Sequence, residues 1–153
     1  MLPATSERVP RHTADAVNER IQLRTEEAVA RCAAGGPEAI ERRLMALDRE
    51  WDIERTLEAN ASSLALVGLG LGAFVNRRYF ALPAVIAGFL LEHALQGWCP
   101  PVPLLRRLGF RTQSEIDEER YALKALRGDF RDIEPIRTPA TGDIRRVIHA
   151  VRS

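Results

Sequence analysis

Two long apolar runs with a short basic stretch between them dominate the hydrophobic pattern of the chain. The first run, Ala59–Val75, contains no charged residue, and the second, from about Leu82 to Gln96, has none before Glu92. Two arginines, Arg77–Arg78, lie between the runs. A helix over the first run would be roughly 26 Å long at about 1.5 Å of rise per residue, just enough for a hydrocarbon core of about 30 Å. The pattern predicts a two-helix transmembrane hairpin over residues 59–98.

The residues before the first run predict amphipathic helices. Residues 1–12 contain two prolines and small polar residues, and are predicted to form a disordered or extended arm. Residues 13–58 predict a helical hairpin that starts at the N-cap Thr13 and turns at Gly35-Gly36. No Gly or Pro interrupts Glu38–Val67, so the second helix of this hairpin is predicted to continue into the membrane as one long helix.

The second of these helices carries a narrow apolar seam. Its residues recur at spacings of four, three and four, and are Ile40, Leu44, Leu47 and Trp51. A seam of this width fits one partner helix. Two interpretations remain open: Leu44, Leu47 and Trp51 pack on the first helix of the same chain, or they form part of an oligomer interface.

The residues after the second run predict a loop and two further helices. Residues 99–128 predict a juxtamembrane loop and a helix that opens with a capping box, Thr112 with Glu115. Residues 129–153 predict an irregular connector and, from Asp143, a basic amphipathic helix. Its apolar stripe is Ile144, Val147, Ile148 and Val151, with Arg145 and Arg146 around it. Three interpretations of this stripe remain open: it binds an anionic membrane surface, it docks in a groove of a partner, or it packs on the chain's own helices.

Composition excludes several functional classes. The formal net charge is +1 at pH 7, so no global field favours nucleic acid as a partner. The two cysteines, Cys32 and Cys99, form no CxxC, and neither a disulfide framework nor a zinc site is indicated. The chain contains no constellation of nucleophile, base and acid. We therefore predict that the protein is not an enzyme and uses no cofactor and no metal.

Small residues recur four positions apart in both apolar runs. Gly68 and Gly72 form a G-x-x-x-G in the first run, and Ala84 and Gly88 form a similar pair in the second. Small residues let helix backbones approach closely in lipid, where no hydrophobic force drives helices together. The two pairs either pack the spans against each other or serve as an oligomer interface.

Polar residues and a sharp stop end the second run. Glu92 and His93 lie at predicted membrane depth, where ionisable side chains are costly, and Trp98-Cys99-Pro100 follows shortly after. These five residues are a candidate functional corner. Adjacent residues on a helix diverge by about 100°, so Glu92, His93 and Cys99 would need ligands from another chain to hold a metal. The alternative is that Glu92 and His93 lie near the headgroups and reach water or Arg106–Arg107.

The end of the second run also carries a family resemblance. Gly97-Trp98-Cys99-Pro100, followed by Pro-Val-Pro-Leu-Leu and Leu108-Gly109, resembles the YgaP-like transmembrane domain. The resemblance covers roughly Leu57 to Gly109 and leaves both flanking arms outside it. It implies a self-associating two-helix domain of the bacterial inner membrane, with no defined activity for the hairpin. Some members carry a catalytic rhodanese domain, whose alternation of strands and helices is not found here.

The distribution of arginines predicts the orientation of the hairpin. Arg55, Arg106, Arg107 and Arg111 lie near the spans on the side of the termini, against the two arginines of the turn. The positive-inside rule therefore favours cytoplasmic termini. Arg106, Arg107, Arg145 and Arg146 are predicted to contact the membrane surface or a partner.

These patterns predict an all-α, multi-pass protein of the bacterial inner membrane, with cytoplasmic amphipathic helices around a transmembrane hairpin. The first hypothesis is a non-catalytic scaffold or accessory subunit that self-associates or binds a larger membrane complex. The second is a sulfur- or metal-linked membrane protein acting through Cys99 and His93. The third is a soluble helical interaction domain that buries the hairpin as its core.

Overall fold

The computed structural model describes residues 4–131 and 141–152. Every regular element in these ranges is helical, which confirms the all-α prediction. The α-helices are α1 (Asp15–Ala34), α2 (Pro37–Leu47), α3 (Ile53–Phe74), α4 (Ala81–Gln96), α5 (Val102–Leu108), α6 (Gln113–Arg127) and α7 (Thr141–Arg152). Two short 3-10 turns cover Pro10–His12 and Arg77–Phe80.

The described residues divide into two compact units. Residues 4–23 and 51–115 form the first unit, and residues 24–50, 116–131 and 141–152 form the second. Helices α1 and α6 each contribute to both units. Each unit has a small apolar core of its own.

Helices α3 and α4 of the first unit pack against each other and against the Arg77–Phe80 turn between them. The side chain of Asn76 caps this turn by accepting a hydrogen bond of 3.0 Å from the Arg78 N–H. Asp52 caps the start of α3 by accepting a hydrogen bond of 2.6 Å from the Arg55 N–H. Local side chains therefore define where α3 begins and where the chain reverses.

The core of the first unit gathers residues that are distant in the sequence. Val9, Ile53, Leu57, Cys99 and Val102 are buried together, and Leu105 and Phe110 pack against them. The disordered arm predicted for residues 1–12 is wrong for residues 4–12, because these form turns and bury Val9 to 1% exposure. Residues 1–3 lie outside the described ranges.

The core of the second unit contains most of the predicted seam. Ile40, Leu44 and Leu47 of α2 pack with Ile116 and Leu123 of α6. The seam thus packs within the chain, and its partner is α6, with Val29 and Cys32 of α1 at the edge of the cluster. Trp51 does not belong to this seam, since it lies outside α2 and is exposed.

The continuous helix predicted from the soluble part into the membrane is wrong. Helix α2 ends at Leu47, and α3 begins at Ile53 after a short turn. The Asp52 cap starts a new helix, and the Ile53 N–H donates to the Arg111 carbonyl at 2.8 Å. A helix can therefore break at a capping residue without Gly or Pro.

Helix α7 begins at Thr141, two residues before the predicted start at Asp143. The predicted connector covers residues 129–142. Of these, residues 129–131 form a turn, and residues 132–140 lie outside the described ranges. Lys124 of α6 donates a hydrogen bond of 2.7 Å to the Val151 carbonyl near the end of α7. This contact fixes the end of α7 within the second unit.

Candidate functional site

The surface of α3 and α4 is largely apolar and uncovered. Phe74 is 91% exposed, and the other large apolar side chains exposed on these helices include Leu64, Leu66, Val67, Leu69, Leu71, Leu82, Val85, Phe89, Leu91 and Leu95. The most apolar stretch within each of the segments Ile53–Phe74 and Arg77–Gln96 has a mean hydropathy of 1.3. Only 17% of this stretch is buried in the first segment, and only 6% in the second. Both segments are long and apolar enough to cross a membrane. The core helices of a water-soluble domain would instead be mostly buried.

The two pairs of small residues have different surroundings. A Cβ atom added at Gly68 would lie 2.8 Å from Pro83 Cδ, and one added at Gly72 would lie 2.7 Å from the Phe80 ring. These two glycines therefore allow close packing inside the chain. A Cβ atom at Gly88 would meet no atom within 4 Å, and Ala84 is exposed on the same helix. The second pair faces open space.

Aromatic and basic residues lie at both ends of the α3 and α4 pair. Trp51 precedes the cap of α3, Trp98 follows the end of α4, and both are exposed. The Arg55 guanidinium lies 4.4 Å from the centre of the Trp51 ring. At the other end, the Arg78 guanidinium lies 5.2 Å from the centre of the Tyr79 ring. Such pairs suit a membrane interface, where amphipathic rings and basic groups concentrate.

The predicted corner after α4 is built around Gly97. Gly97 ends α4 in the left-handed conformation with φ of 82°, and its N–H donates to the His93 carbonyl at 2.8 Å. A Cβ atom at Gly97 would clash with the carbonyl carbon of Arg8, so the backbone at Arg8 passes directly against Gly97. The Trp98 ring meets Phe89 edge-to-face at 6.4 Å, and Pro100 is exposed.

His93 is the buried polar residue of this corner. Neither ring nitrogen meets a hydrogen-bond partner of good geometry among the described residues, although the Gly97 backbone lies close enough to interact with the ring. Glu54 Oε2 and Arg8 Nε are also buried, and neither atom has a hydrogen-bond partner among the described residues. Arg8 Nη2 lies 3.9 Å from Glu54 Oε1, and Arg8 Nη1 donates to the Ala94 carbonyl at 3.0 Å.

The corner residues do not assemble a metal site in the part of the chain that the structure describes. No group of three His, Cys, Asp or Glu side chains there could hold an ion. Glu92 is half-buried, whereas Cys99 packs inside the apolar core of the first unit. Burial raises the pKa of the Cys99 thiol. A raised pKa keeps the thiol protonated, which favours a packing role over that of a nucleophile or ligand.

Arg106 is a densely hydrogen-bonded side chain of the first unit, and it is only 1% exposed. Nη1 and Nη2 donate to Glu115 Oε2 and Oε1 at 2.6 and 2.7 Å. Nε donates to Thr13 Oγ1 at 3.2 Å, Nη2 also donates to Asn18 Oδ1 at 2.9 Å, and Nη1 to the Phe110 carbonyl at 3.1 Å. All five guanidinium donors are therefore used. The predicted role of Arg106 as a membrane-surface contact is wrong, because its charge is paired inside the protein.

The other arginines predicted to contact a membrane or a partner are exposed. Arg107 makes no ion pair within the described ranges, and it lies next to the exposed Leu104 and Leu108. Arg145 and Arg146 are exposed on α7. The apolar stripe of α7 is also partly uncovered, since Ile144, Ile148 and Val151 are all exposed.

Several residues of the buried polar contacts have no predicted role. Arg8 falls in the predicted disordered arm, and no pattern assigns a role to Asn18, Glu54 or the fully buried Glu119.

Two partners of Arg106 carry a signal in the sequence. Thr13 is the predicted N-cap of the first helix, and the capping box with Thr112 places Glu115 at the start of α6, where it accepts the Thr112 N–H at 2.8 Å. The position of Arg106 opposite this box depends on tertiary packing, which no local pattern encodes.

Comparison with known proteins gives no relative on which to base a function. No protein-family model, curated protein or solved structure matches the chain. The resemblance to the YgaP-like transmembrane domain therefore stays a prediction from the motif around Cys99.

Proposed function

We propose that the protein is a non-catalytic integral membrane protein in which α3 and α4 form a two-helix transmembrane hairpin. The observation that carries this proposal is the uncovered apolar surface of both helices. Only 17% of the most apolar stretch is buried in the segment Ile53–Phe74, and only 6% in the segment Arg77–Gln96. An apolar surface of this extent on a water-soluble monomer would be unusual, whereas lipid covers it at no cost.

The ends of the helix pair support the same proposal. Trp51 and Trp98 at one end, and Tyr79 at the other, suit the two interfaces of a bilayer. Arginines accompany the aromatic residues at both ends, with four near the spans on the side of the termini and two in the turn. The positive-inside rule applied to these arginines supports cytoplasmic termini.

The hairpin and its flanking helices together suit a scaffold or accessory subunit, and the YgaP-like resemblance implies the bacterial inner membrane as its location. In this proposal the hairpin anchors the chain and the amphipathic helices lie in the cytoplasm. The protein self-associates or binds a larger membrane complex. The open face of α4 around Ala84 and Gly88 is available for such a contact, because no other part of the described chain occupies it.

A matched pair of charge substitutions tests membrane insertion. Leu66 lies in the middle of α3 and Leu23 in α1, and both are exposed. Leu66→Asp should prevent stable insertion, because a carboxylate at the centre of a membrane helix costs about 2.5–3.5 kcal/mol. Leu23→Asp should leave the protein in the membrane fraction. The measurement is the amount of each full chain that resists alkaline carbonate extraction from bacterial inner membranes. Extraction of the unmodified chain by carbonate would refute the proposal.

A second matched pair tests self-association. Gly70 and Gly88 both have open space where a side chain would begin. The measurement is fluorescence energy transfer between donor-labelled and acceptor-labelled chains in proteoliposomes. If the chains self-associate, adding unlabelled chain should reduce this transfer, because unlabelled chains replace labelled ones in the oligomer. Gly88→Leu should reduce this transfer and Gly70→Leu should not, if α4 provides the contact. Transfer that depends only on the protein-to-lipid ratio would argue against a specific oligomer.

A further inference from the structure

We infer that α5 is an interfacial helix whose outer face, formed by Leu104, Arg107 and Leu108, lies in the headgroup layer of a phospholipid bilayer. This inference rests on the proposed function, since it requires α3 and α4 to cross the same bilayer. It adds a third lipid contact, which runs along the membrane surface.

Helix α5 has two faces of opposite character. Val102, Leu105 and Arg106 have the spacing of one helical face and point into the protein, where Val102 is fully buried. Leu104, Arg107 and Leu108 have the same spacing, offset by two residues, and therefore lie on the opposite side. Leu104 and Leu108 are 61% and 66% exposed. The inner face fixes the orientation of the helix, so the outer face cannot turn inward.

The packing of α5 places it at one end of the α3 and α4 pair. Val102 shares the first unit's core with Ile53 and Leu57, which belong to the first turns of α3. The chain reaches α5 from the other helix through Trp98 and Pro100, within a few residues of the end of α4. Packing on the first turns of α3 and the short connection from α4 therefore hold α5 near one end of the proposed hairpin.

The composition of the outer face suits lipid headgroups. Leucines four residues apart offer apolar side chains to the acyl boundary, and Arg107 beside them offers a charge that lipid phosphates attract. Trp98 and Arg55 are exposed at the same end of the pair and suit the same layer. Trp98 lies in the short connection between α4 and α5 and is exposed like the outer face of α5, which favours the bilayer as the occupant of this face.

Cysteine reactivity in the full chain tests the inference. The background is Cys32→Ser, with the buried Cys99 retained. Three variants each add one further cysteine to this background, in place of Leu108 on α5, Val85 on α4 or Leu126 on α6. All three side chains are exposed. The purified chains are reconstituted in vesicles of phosphatidylcholine and phosphatidylglycerol, and their reaction with N-ethylmaleimide, which crosses membranes, is timed. A thiol surrounded by lipid reacts slowly, because the thiolate is the reactive form and lipid disfavours charge.

We expect Leu126→Cys to react fastest, Leu108→Cys about tenfold more slowly, and Val85→Cys most slowly, as the share of thiolate falls with burial in lipid. Adding Arg107→Gln to Leu108→Cys should increase the reactivity of the thiol when phosphatidylglycerol is present. Equal rates at positions 108 and 126, with Val85→Cys still protected, would overturn the inference alone. Fast reaction of Val85→Cys would overturn the proposed function as well. Protection of position 108 that disappears on dilution to one chain per vesicle would mean that a second copy covers α5, which also overturns the inference.

Discussion

Arg106 and Glu115 form a two-bonded ion pair, with Nη1 to Oε2 at 2.6 Å and Nη2 to Oε1 at 2.7 Å. The guanidinium is fully enclosed, and its remaining donors bind Thr13, Asn18 and the Phe110 carbonyl. Through Thr13 and Asn18, Arg106 thus joins the chain before α3 to the chain after α4. Removing one member of the ion pair would leave the other charge buried without its partner.

Arg106→Met should destabilise the first unit by about 3–5 kcal/mol, because an uncompensated buried carboxylate remains. Arg107→Met is the matched control, since Arg107 is exposed and lies one residue further along, and it should change stability by less than about 0.5 kcal/mol. Denaturant titration in mild detergent, followed through Trp51 and Trp98 fluorescence, measures both. Equal effects of the two substitutions would contradict the buried network.

The stability of the first unit should fall in acid through Glu115. Burial alone would raise the pKa of Glu115, but hydrogen bonds from Arg106 and from the Thr112 N–H outweigh burial and hold the pKa below its usual range. The ordinary pKa of a glutamate, which applies to the unfolded chain, is roughly 4.3. Because the folded-state pKa is lower, Glu115 stabilises the fold fully above the unfolded-state pKa, and this stabilisation is lost as the pH falls through the folded-state pKa. Glu115→Gln should be less stable at pH 7 and should show a weaker loss below that value. An unchanged acid profile in this variant would contradict the prediction.

The two pairs of small residues should respond differently to an added methyl group. Gly72→Ala would place Cβ 2.7 Å from the Phe80 ring, so the packing of α3 on the turn must shift at a cost of about 1–3 kcal/mol. Gly88→Ala meets nothing within 4 Å and should be neutral or stabilising, because alanine is the better helix former. Thermal unfolding in lipid nanodiscs separates the two. In nanodiscs that hold one chain each, a larger loss for Gly88→Ala would contradict the open face of α4, because no second copy is present to contact it.

Cys99 should resist alkylation in the folded protein. Its thiol is buried among Val9, Ile53 and Val102, and burial raises its pKa. Iodoacetamide at pH 8 should modify Cys99 only after denaturation, with mass spectrometry locating the modified site. Rapid modification of Cys99 in the native chain would revive the hypothesis of a sulfur-linked function. Cys99→Val tests this independently, because it keeps the packing approximately and removes the sulfur.

Local patterns were sufficient to predict the helical class and the ends of most helices. The capping box at Thr112, the break at Gly35-Gly36 and the stop at Gly97 each act through bonds to nearby backbone. The seam at Leu44 and Leu47 also followed from helical spacing, although its partner is α6 and not only α1. The break before α3 was missed, because the prediction relied on Gly and Pro and overlooked Asp52 as a cap.

The long-range polar contacts could not be predicted in the same way. Arg106 and Arg107 are adjacent and chemically identical, yet one is buried and the other exposed. Only the rotation of α5 against Ile53 and Leu57 decides which of them points inward. The same holds for Arg8, whose contact with Gly97 depends on a chain segment that returns from the N-terminal side.

The Arg106 network has a consequence for biogenesis. Two of its partners, Thr13 and Asn18, are synthesised before α3, whereas Arg106 and Glu115 follow α4. If only one of the two helices entered the bilayer, these groups would emerge on opposite sides and could not meet. In the proposed topology, the network therefore closes only after both α3 and α4 have crossed the bilayer.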